Sequence, residues 1–223
     1  AIDLGGIAKG YTSDLVEQTF RANGIESGKI SLGGNVFVLG GKPDGSDWRV
    51  GIKDPRNESG LAAILSLRDA YAITSGGYER YFEENGKTYH HIIDPSTGYP
   101  ADSGLLSVTV VAADNGPDWA GAGNGAMCDA FSTALFVMGE EQALDFWRNG
   151  GDDFDLGLGA GGGRGVITAG LAGRVGGGEG RGEIGRAHAW NPVTDQTRMP
   201  SSACKKKKNI CLSLSHSPYF RHV

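Results

Sequence analysis

The sequence predicts an α+β fold in which a mixed or largely antiparallel sheet carries flanking helices. Residues 1–149 contain several short segments with alternating or β-branched character, and two amphipathic segments that end at glycine. No βαβ repeat and no G-x-G-x-x-G sequence occurs in them, which argues against a Rossmann-type nucleotide site.

The predicted strands are segments whose apolar residues alternate or are rich in Val, Ile and Thr. In chain order they are Lys29–Gly40, Trp48–Lys53, Leu61–Leu67, Ala70–Thr74, Thr88–Ile93 and Ser107–Ala113. Gly, Pro, Asn or Asp stands at nearly every junction between them, as expected for short connections.

Helices are predicted where apolar residues recur every three or four positions. The segments are Gly10–Asn23, Cys128–Met138 and a shorter one at Glu140–Arg148. In the first, Leu15, Val16 and Phe20 fall on one side and are expected to face the core. The second carries a comparable apolar stripe made of Phe131, Leu135 and Met138.

Composition excludes several classes of protein. The 223 residues include 3 Cys and carry a formal net charge of -5, which excludes a disulfide scaffold and makes nucleic acid an unexpected partner. No run of 18 or more uncharged apolar residues occurs, so the sequence predicts no membrane span in this chain.

Charge and glycine content divide the chain near Gly150. Residues 1–149 hold 11 Lys+Arg and 20 Asp+Glu, whereas residues 150–223 hold 10 and 6. Residues 150–182 include 15 Gly among 33 residues and few apolar side chains to bury, so we expect this segment to be disordered and hypothesise a frameshifted origin. The predicted organisation is a globular unit over 1–149, the Gly-rich segment over 150–182 and a tail over 183–223.

The tail has the character of translated non-coding DNA. Back-translated, EIGRAH at 183–188 resembles the start of a sequencing adapter, and TRMPSSAC at 197–204 with the following four lysines resembles its far end and an A-rich tail. We hypothesise that residues 183–223 are a non-native read-through. The alternative is a basic tail that binds nucleic acid or acidic lipid.

Asp129 and Thr133 stand four residues apart on the second predicted helix. This spacing places a carboxylate and a hydroxyl on one helix face, about one turn apart. Hard oxygen ligands of this kind suit Mg²⁺, which typically takes only one or two carboxylates. On spacing alone the commoner interpretation is that Asp129 caps the helix and Thr133 bonds back to the preceding turn.

Three glycine pairs follow short apolar or strand-like stretches, at Gly5-Gly6, Gly33-Gly34 and Gly76-Gly77. Without Cβ atoms, backbone N–H groups can approach a phosphate closely, and Lys9 beside the first pair could add a positive charge. Turns or bulges in a sheet are the alternative explanation.

His90 and His91 end a predicted strand and precede an Asp-Pro turn. Strand alternation places the two rings on opposite faces, so at most one can face a given site. A histidine near a phosphate and a hydroxyl acceptor could act as a general base. The alternative is one histidine at the surface and one that satisfies a turn carbonyl.

Taken in order, the motifs of residues 1 to about 149 resemble the successive signatures of the ApbE family. The matching segments are Ile2–Gly10, Ser31–Asn35, Trp48–Ile52, Ser75–Phe82, His91–Gly98 and Asp129–Thr133. The resemblance implies an ApbE-like, T-fold-like flavin transferase domain. It implies a Mg²⁺-dependent enzyme that splits FAD, attaches FMN through a phosphoester to a Thr or Ser of an acceptor flavoprotein, and releases AMP.

The resemblance also implies roles for individual residues. Asp129, Thr133 and the backbone carbonyl of Gly6 correspond to the family's magnesium ligands, and His91 to the histidine that activates the acceptor hydroxyl. The residues implied to line the FAD cleft are Lys9, Gly33, Gly34, Asn35, Ser75, Gly76 and Tyr78. A preceding segment with a lipoprotein anchor, and hence a periplasmic or inner-membrane-anchored location, is expected from the family.

Two other functions remain open for the same residues. The first is a Mg²⁺-dependent FAD pyrophosphatase, in which water replaces the protein hydroxyl and the products are FMN and AMP. The second is a flavin-binding protein without turnover. The presence of both Asp129 and Thr133 argues against the second, because binding alone does not need a two-ligand helix face.

Overall fold

The computed structural model describes residues 3–114, 123–149, 154–160, 166–169 and 209–214. Three helices occur in this part of the chain: α1 (Ala8–Ala22), α2 (Asn124–Met138) and α3 (Glu140–Arg148). The strands are β1 (Ser27–Leu32), β2 (Asn35–Leu39), β3 (Trp48–Asp54), β4 (Asn57–Leu67), β5 (Ala70–Gly76), β6 (Tyr81–Glu84), β7 (Lys87–His90), β8 (Ile93–Asp94), β9 (Tyr99–Pro100), β10 (Leu105–Ala113), β11 (Asp155–Ala160), β12 (Val166–Ala169) and β13 (Asn209–Leu214).

Seven strands form the central sheet in the order β12-β11-β10-β5-β2-β1-β13. All neighbouring pairs are antiparallel except β1 and β13, which run parallel. Three further pairs form separate two-stranded sheets: β3 with β4, β6 with β7, and β8 with β9. The predicted α+β class with a mixed, largely antiparallel sheet is therefore confirmed.

The central sheet is buried on both faces, and each face has its own core. On one face, alternate residues such as Phe37, Tyr71 and Val108 pack with Phe136 of α2. On the other face, the intervening residues pack against the β3–β4 hairpin; the members are Val38, Val50, Leu65, Leu67, Ala70, Ala72 and Val111. This alternation explains why the central strands are rich in Val, Ile and Ala on both sides.

The structure divides one predicted strand. Lys29–Gly40 is two strands, because the chain reverses at Gly33 and Gly34, whose φ angles of 50° and 92° lie in the left-handed region. Two consecutive positive φ values form a tight hairpin turn that glycine adopts without steric cost.

The predicted strand over Thr88–Ile93 is also interrupted. β7 ends at His90 and β8 begins at Ile93, so His91 lies at the break between them.

The helices are where the sequence predicts them, with two differences. α1 begins at Ala8 and α2 at Asn124, earlier than expected, whereas α3 has the predicted bounds. In α1 the buried positions include Ser13, Asp14 and Glu17, and Leu15 is 44% exposed. The core-facing prediction for Leu15 is wrong because α1 packs through a partly polar face.

The glycine-rich segment is not without regular structure. Strand β11 pairs with β10 and buries Leu156 and Leu158, and β12 pairs with β11. Because Leu alternates with Gly here, one face of β11 can join the core despite the glycine content. The expectation of disorder therefore fails for β11 and β12, and the other residues of 150–182 lie outside the described residues.

Strand β13 belongs to the segment for which we hypothesise a non-native origin. It runs parallel to β1 in continuous register from Ser27 to Leu32. Strand pairing does not depend on the origin of a segment, so that hypothesis stays a prediction, and the remainder of 183–223 lies outside the described residues. Among the described residues, no helix is long and apolar enough to cross a membrane.

Candidate functional site

Asp129 is a buried carboxylate in the second turn of α2, and only 2% of it is exposed. Its Oδ2 atom accepts a hydrogen bond of 2.8 Å from the backbone N–H of Gly10 in α1. Burial raises the pKa of Asp129, while the Gly10 N–H, the Asn35 amide and the charge of Lys9 act in the opposite direction. The residue does not cap its own helix, whose N-cap position is Gly123.

Thr133 lies one turn further along the same helix. Its Oγ1 is 3.1 Å from Oγ of Ser75, which is also 2.8 Å from Oγ of Ser132. A Cβ atom on Gly6 would lie 3.8 Å from Thr133 Oγ1, so the loop before α1 contacts this hydroxyl. The structure thus brings Gly6 and Thr133 together, with Asp129 one turn away.

Two glycines allow α1 and α2 to approach closely enough for this arrangement. A Cβ atom on Gly10 would overlap the backbone carbonyl of Gly125, and one on Gly125 would lie 2.5 Å from the carbonyl oxygen of Gly10. This close approach lets the Gly10 N–H reach Asp129. Neither glycine is predicted as a helix-contact residue from the sequence, although small residues at facing helix positions indicate such a close approach.

The Gly33-Gly34 turn lies beside the same group of side chains. Lys9 Nζ donates a hydrogen bond of 3.2 Å to the carbonyl of Gly33, and the Thr74 N–H donates one of 3.3 Å to the carbonyl of Gly34. These two bonds hold the turn between the start of α1 and the end of β5. Thr74, which makes the second bond, is the residue before Ser75.

Asn35 follows this turn and is completely buried. Its amide lies beside the Asp129 carboxylate and acts as a hydrogen-bond partner that lowers the pKa of that group.

Gly76 and Gly77 make room for two rings. A Cβ atom on Gly76 would lie 2.5 Å from the ring of Tyr78, and one on Gly77 would lie 2.8 Å from the ring of His90. Burial raises the pKa of Tyr78 to about 12, so its hydroxyl is protonated and can donate a hydrogen bond at neutral pH.

The two histidines have different surroundings. His90 packs edge-on against Phe136, and its Nε2 donates to the carbonyl of Ala101 at 3.1 Å, which makes it a structural residue. His91 is exposed, and its Nδ1 lies 3.2 Å from the carbonyl of Arg80. Desolvation lowers the pKa of His91; the Arg80 carbonyl opposes this effect, and the charges of Arg80 and Lys9 reinforce it.

These contacts bring the start of α1, the first hairpin turn and the end of β5 together beside α2, on an α+β fold. The sequence model of the ApbE family matches residues 1–155. The chain belongs to the ApbE family.

Curated relatives agree with this assignment. The chain is 40% identical over 156 residues to an FAD:protein FMN transferase of Treponema pallidum, an alignment covering 66% of this chain and 40% of the relative. It is 41% identical over 142 residues to a protein of the same name from Klebsiella pneumoniae, covering 63% and 40%. The chain therefore spans about 40% of the length of these relatives.

Solved structures show the same fold. The ApbE protein of Thermotoga maritima matches with a TM-score of 0.63 and 39% identity, covering 74% of this chain and 50% of that one. The flavin transferase ApbE of Vibrio cholerae matches with a TM-score of 0.60 and 29% identity, covering 75% and 50%.

Proposed function

We propose that the chain carries the catalytic site of an FAD:protein FMN transferase. The reaction splits FAD at its pyrophosphate, attaches FMN by a phosphoester to a Thr or Ser of an acceptor flavoprotein, and releases AMP. The FAD:protein FMN transferase activity of the relatives supports this proposal. The main structural support is that Gly6 and Thr133 are in contact one helical turn from Asp129. The contact between Lys9 and Gly33 lies beside them.

The donor set fits Mg²⁺ better than a transition metal. It offers one carboxylate, one hydroxyl and one backbone carbonyl, from Asp129, Thr133 and Gly6, and the described residues contain no group of three or more His, Cys, Asp or Glu side chains suited to a metal. Asp129 is buried and forms no ion pair among the described residues, so a cation would compensate its charge. When bound, Mg²⁺ would neutralise charge on the pyrophosphate oxygens.

His91 would receive the proton of the acceptor hydroxyl. Because its Nδ1 faces a carbonyl oxygen, we assign the proton to Nδ1, which leaves the lone pair of Nε2 available as a base. The acceptor oxygen forms a bond to the FMN phosphorus, the bond from that phosphorus to the bridging oxygen breaks, and AMP leaves with the electron pair. The hydroxyl proton goes to Nε2.

The remaining site residues would bind and orient FAD. Lys9 supplies a positive charge beside the glycine turn, and the missing Cβ atoms of exposed Gly33 and half-buried Gly34 would permit a close approach by the substrate. Asn35, Ser75, Gly76 and Tyr78 line the same region and offer amide, hydroxyl and backbone groups for hydrogen bonds.

The test is product analysis with a peptide library. The full chain is incubated with FAD, MgCl₂ and synthetic peptides that each contain one Thr or Ser in a varied surrounding sequence. We expect peptides that gain the mass of FMN, together with AMP, and loss of both products when EDTA replaces MgCl₂. AMP with free FMN and no modified peptide would identify a pyrophosphatase, and FAD binding without AMP would identify a non-catalytic flavin binder.

A further inference from the structure

The β6–β7 hairpin forms an exposed sheet of its own. Within the described residues its two strands pair only with each other, so their outer edges present backbone groups without a strand partner. Phe82, on β6, is 61% exposed. Open strand edges beside an exposed aromatic ring form a surface that an extended polypeptide can cover.

Phe82 belongs to an aromatic pair on the hairpin, and the open end of this hairpin adjoins His91. Its ring stacks on that of Tyr89, with centroids 5.1 Å apart and an interplanar angle of 9°, and Lys87 Nζ lies 5.5 Å from the Tyr89 ring. Phe82 pairs with Tyr89 across the hairpin, and Tyr81 with His90. Arg80 and His91 lie just beyond this last pair, and Nδ1 of His91 is 3.2 Å from the carbonyl oxygen of Arg80.

Resting on the function proposed above, we propose that this face of the β6–β7 hairpin, marked by Phe82 and Tyr89, binds the acceptor polypeptide. The acceptor lies across the hairpin as an extended segment with its Thr or Ser hydroxyl at Nε2 of His91. An apolar side chain near the hydroxyl residue covers the Phe82 ring.

A polypeptide fits this surface better than the flavin ring does. An extended segment can use the open strand edges as hydrogen-bond partners and the aromatic pair as a contact for one side chain, as in β-strand addition. Phe82 and Tyr89 already stack on each other, so they do not leave a slot between them for a planar ring. Because the open end of the hairpin contacts His91, a polypeptide bound on this surface can bring its hydroxyl to that residue.

The experiment compares Phe82→Ala with a matched control in the full chain. The control is Leu61→Ala on the β3–β4 hairpin, because Leu61 is also an exposed apolar residue, at 52%. The substrate is the most readily modified peptide of the library, and steady-state rates are measured while either the peptide or FAD is varied. We expect Phe82→Ala to raise KM for the peptide about tenfold, as for an interface anchor, without changing KM for FAD.

Each other result contradicts the proposal in an identifiable way. An equal rise in KM for FAD would show that the surface holds the flavin. Equal behaviour of Phe82→Ala and Leu61→Ala would show that it binds neither substrate. Circular dichroism checks that both variants fold, and Phe82→Leu, which keeps an apolar surface, is expected to recover part of the peptide affinity. Absence of any modified peptide with the unaltered chain would contradict the proposed function itself.

Discussion

The Asp129 carboxylate places a negative charge where only 2% of the residue is exposed. One backbone N–H, from Gly10, gives it a hydrogen bond, and burial still raises its pKa. A protein tolerates such a charge when a cation or a ligand compensates it. This burial is consistent with the cation-binding role proposed for Asp129.

Asp129→Asn removes this charge and keeps the shape of the side chain. We expect peptide modification to fall by about 10²-fold or more at saturating FAD, by analogy with other lost charge-stabilising groups. The measurement is the initial rate of FMN transfer across a series of MgCl₂ concentrations. Asp145→Asn serves as the control, because Asp145 is exposed on α3. Normal transfer by Asp129→Asn in magnesium would refute the ligand assignment.

His91 supplies a prediction about pH. A base must be unprotonated to accept the hydroxyl proton, and desolvation lowers the pKa of His91 below its ordinary value of about 6.5. We therefore expect kcat/KM for peptide modification to stay constant as pH falls to that value and to decline only below it.

His91→Ala should remove this decline and lower transfer more than FAD binding. The measurement is a pH profile of transfer, beside fluorescence titration of FAD. An equal loss of transfer and FAD binding would instead indicate a structural role for His91.

At this scale the sequence could identify the residue types but not their surroundings. Strand alternation alone could not distinguish the two adjacent histidines, and only the family resemblance selected His91; the structural role of His90 depends on its contacts with Phe136 and the carbonyl of Ala101, which the pattern does not reveal. The proximity of the buried Asn35 amide to Asp129 was equally invisible, since burial and contacts between distant residues are properties of the folded chain.

At the scale of elements, α1 and α2 are joined by a polar contact. Asp14 of α1 accepts hydrogen bonds of 2.7 and 2.9 Å from the backbone N–H groups of Gly125 and Ala126. These belong to the first turn of α2, whose donors have no partner within the helix. A carboxylate from another helix thus caps the element that carries Asp129 and Thr133.

Asp14→Ala should therefore destabilise the fold. We expect the free energy of unfolding to fall by about 1–2 kcal/mol, the usual cost of losing a cap at a buried helix end. Urea unfolding followed by circular dichroism measures this change. Asp145→Ala provides the comparison, because its ion pair with Arg148 is exposed and should contribute less than 1 kcal/mol. A loss no larger for Asp14→Ala than for Asp145→Ala would mean that water replaces the cap.

The contact between Asp14 and α2 also explains an error in the sequence-based prediction of α1. Hydrophobic periodicity located all three helices, but it assigned Leu15 to the core because it could not recognise a buried polar face that serves another helix. Two tight turns were not predicted. The Gly33-Gly34 turn divides a predicted strand, and Asn85-Gly86, both with positive φ, forms the turn of the β6–β7 hairpin. Only the Gly33-Gly34 turn contacts a residue of the proposed site, through Lys9; the Asn85-Gly86 turn lies at the end of its hairpin away from His91.

At the scale of the whole molecule, the two cores have different relations to the site. Leu135 is fully buried in the core that α2 forms with the sheet, two residues from Thr133. Leu67 is 6% exposed in the core beneath the β3–β4 hairpin, on the other face of the sheet. Both are leucines in apolar surroundings, so they form a matched pair for separating stability from activity.

Leu135→Ala and Leu67→Ala should each lower the free energy of unfolding by about 2–5 kcal/mol, since both leave a cavity in a packed core. Only Leu135→Ala should also weaken FMN transfer in the folded protein, because the cavity lets α2 shift and moves Asp129 and Thr133 relative to α1. Urea unfolding measures the first effect. Transfer rates at a temperature where circular dichroism shows both variants to be folded measure the second. Equal losses of transfer in the two variants would show that activity follows global stability and not the position of α2.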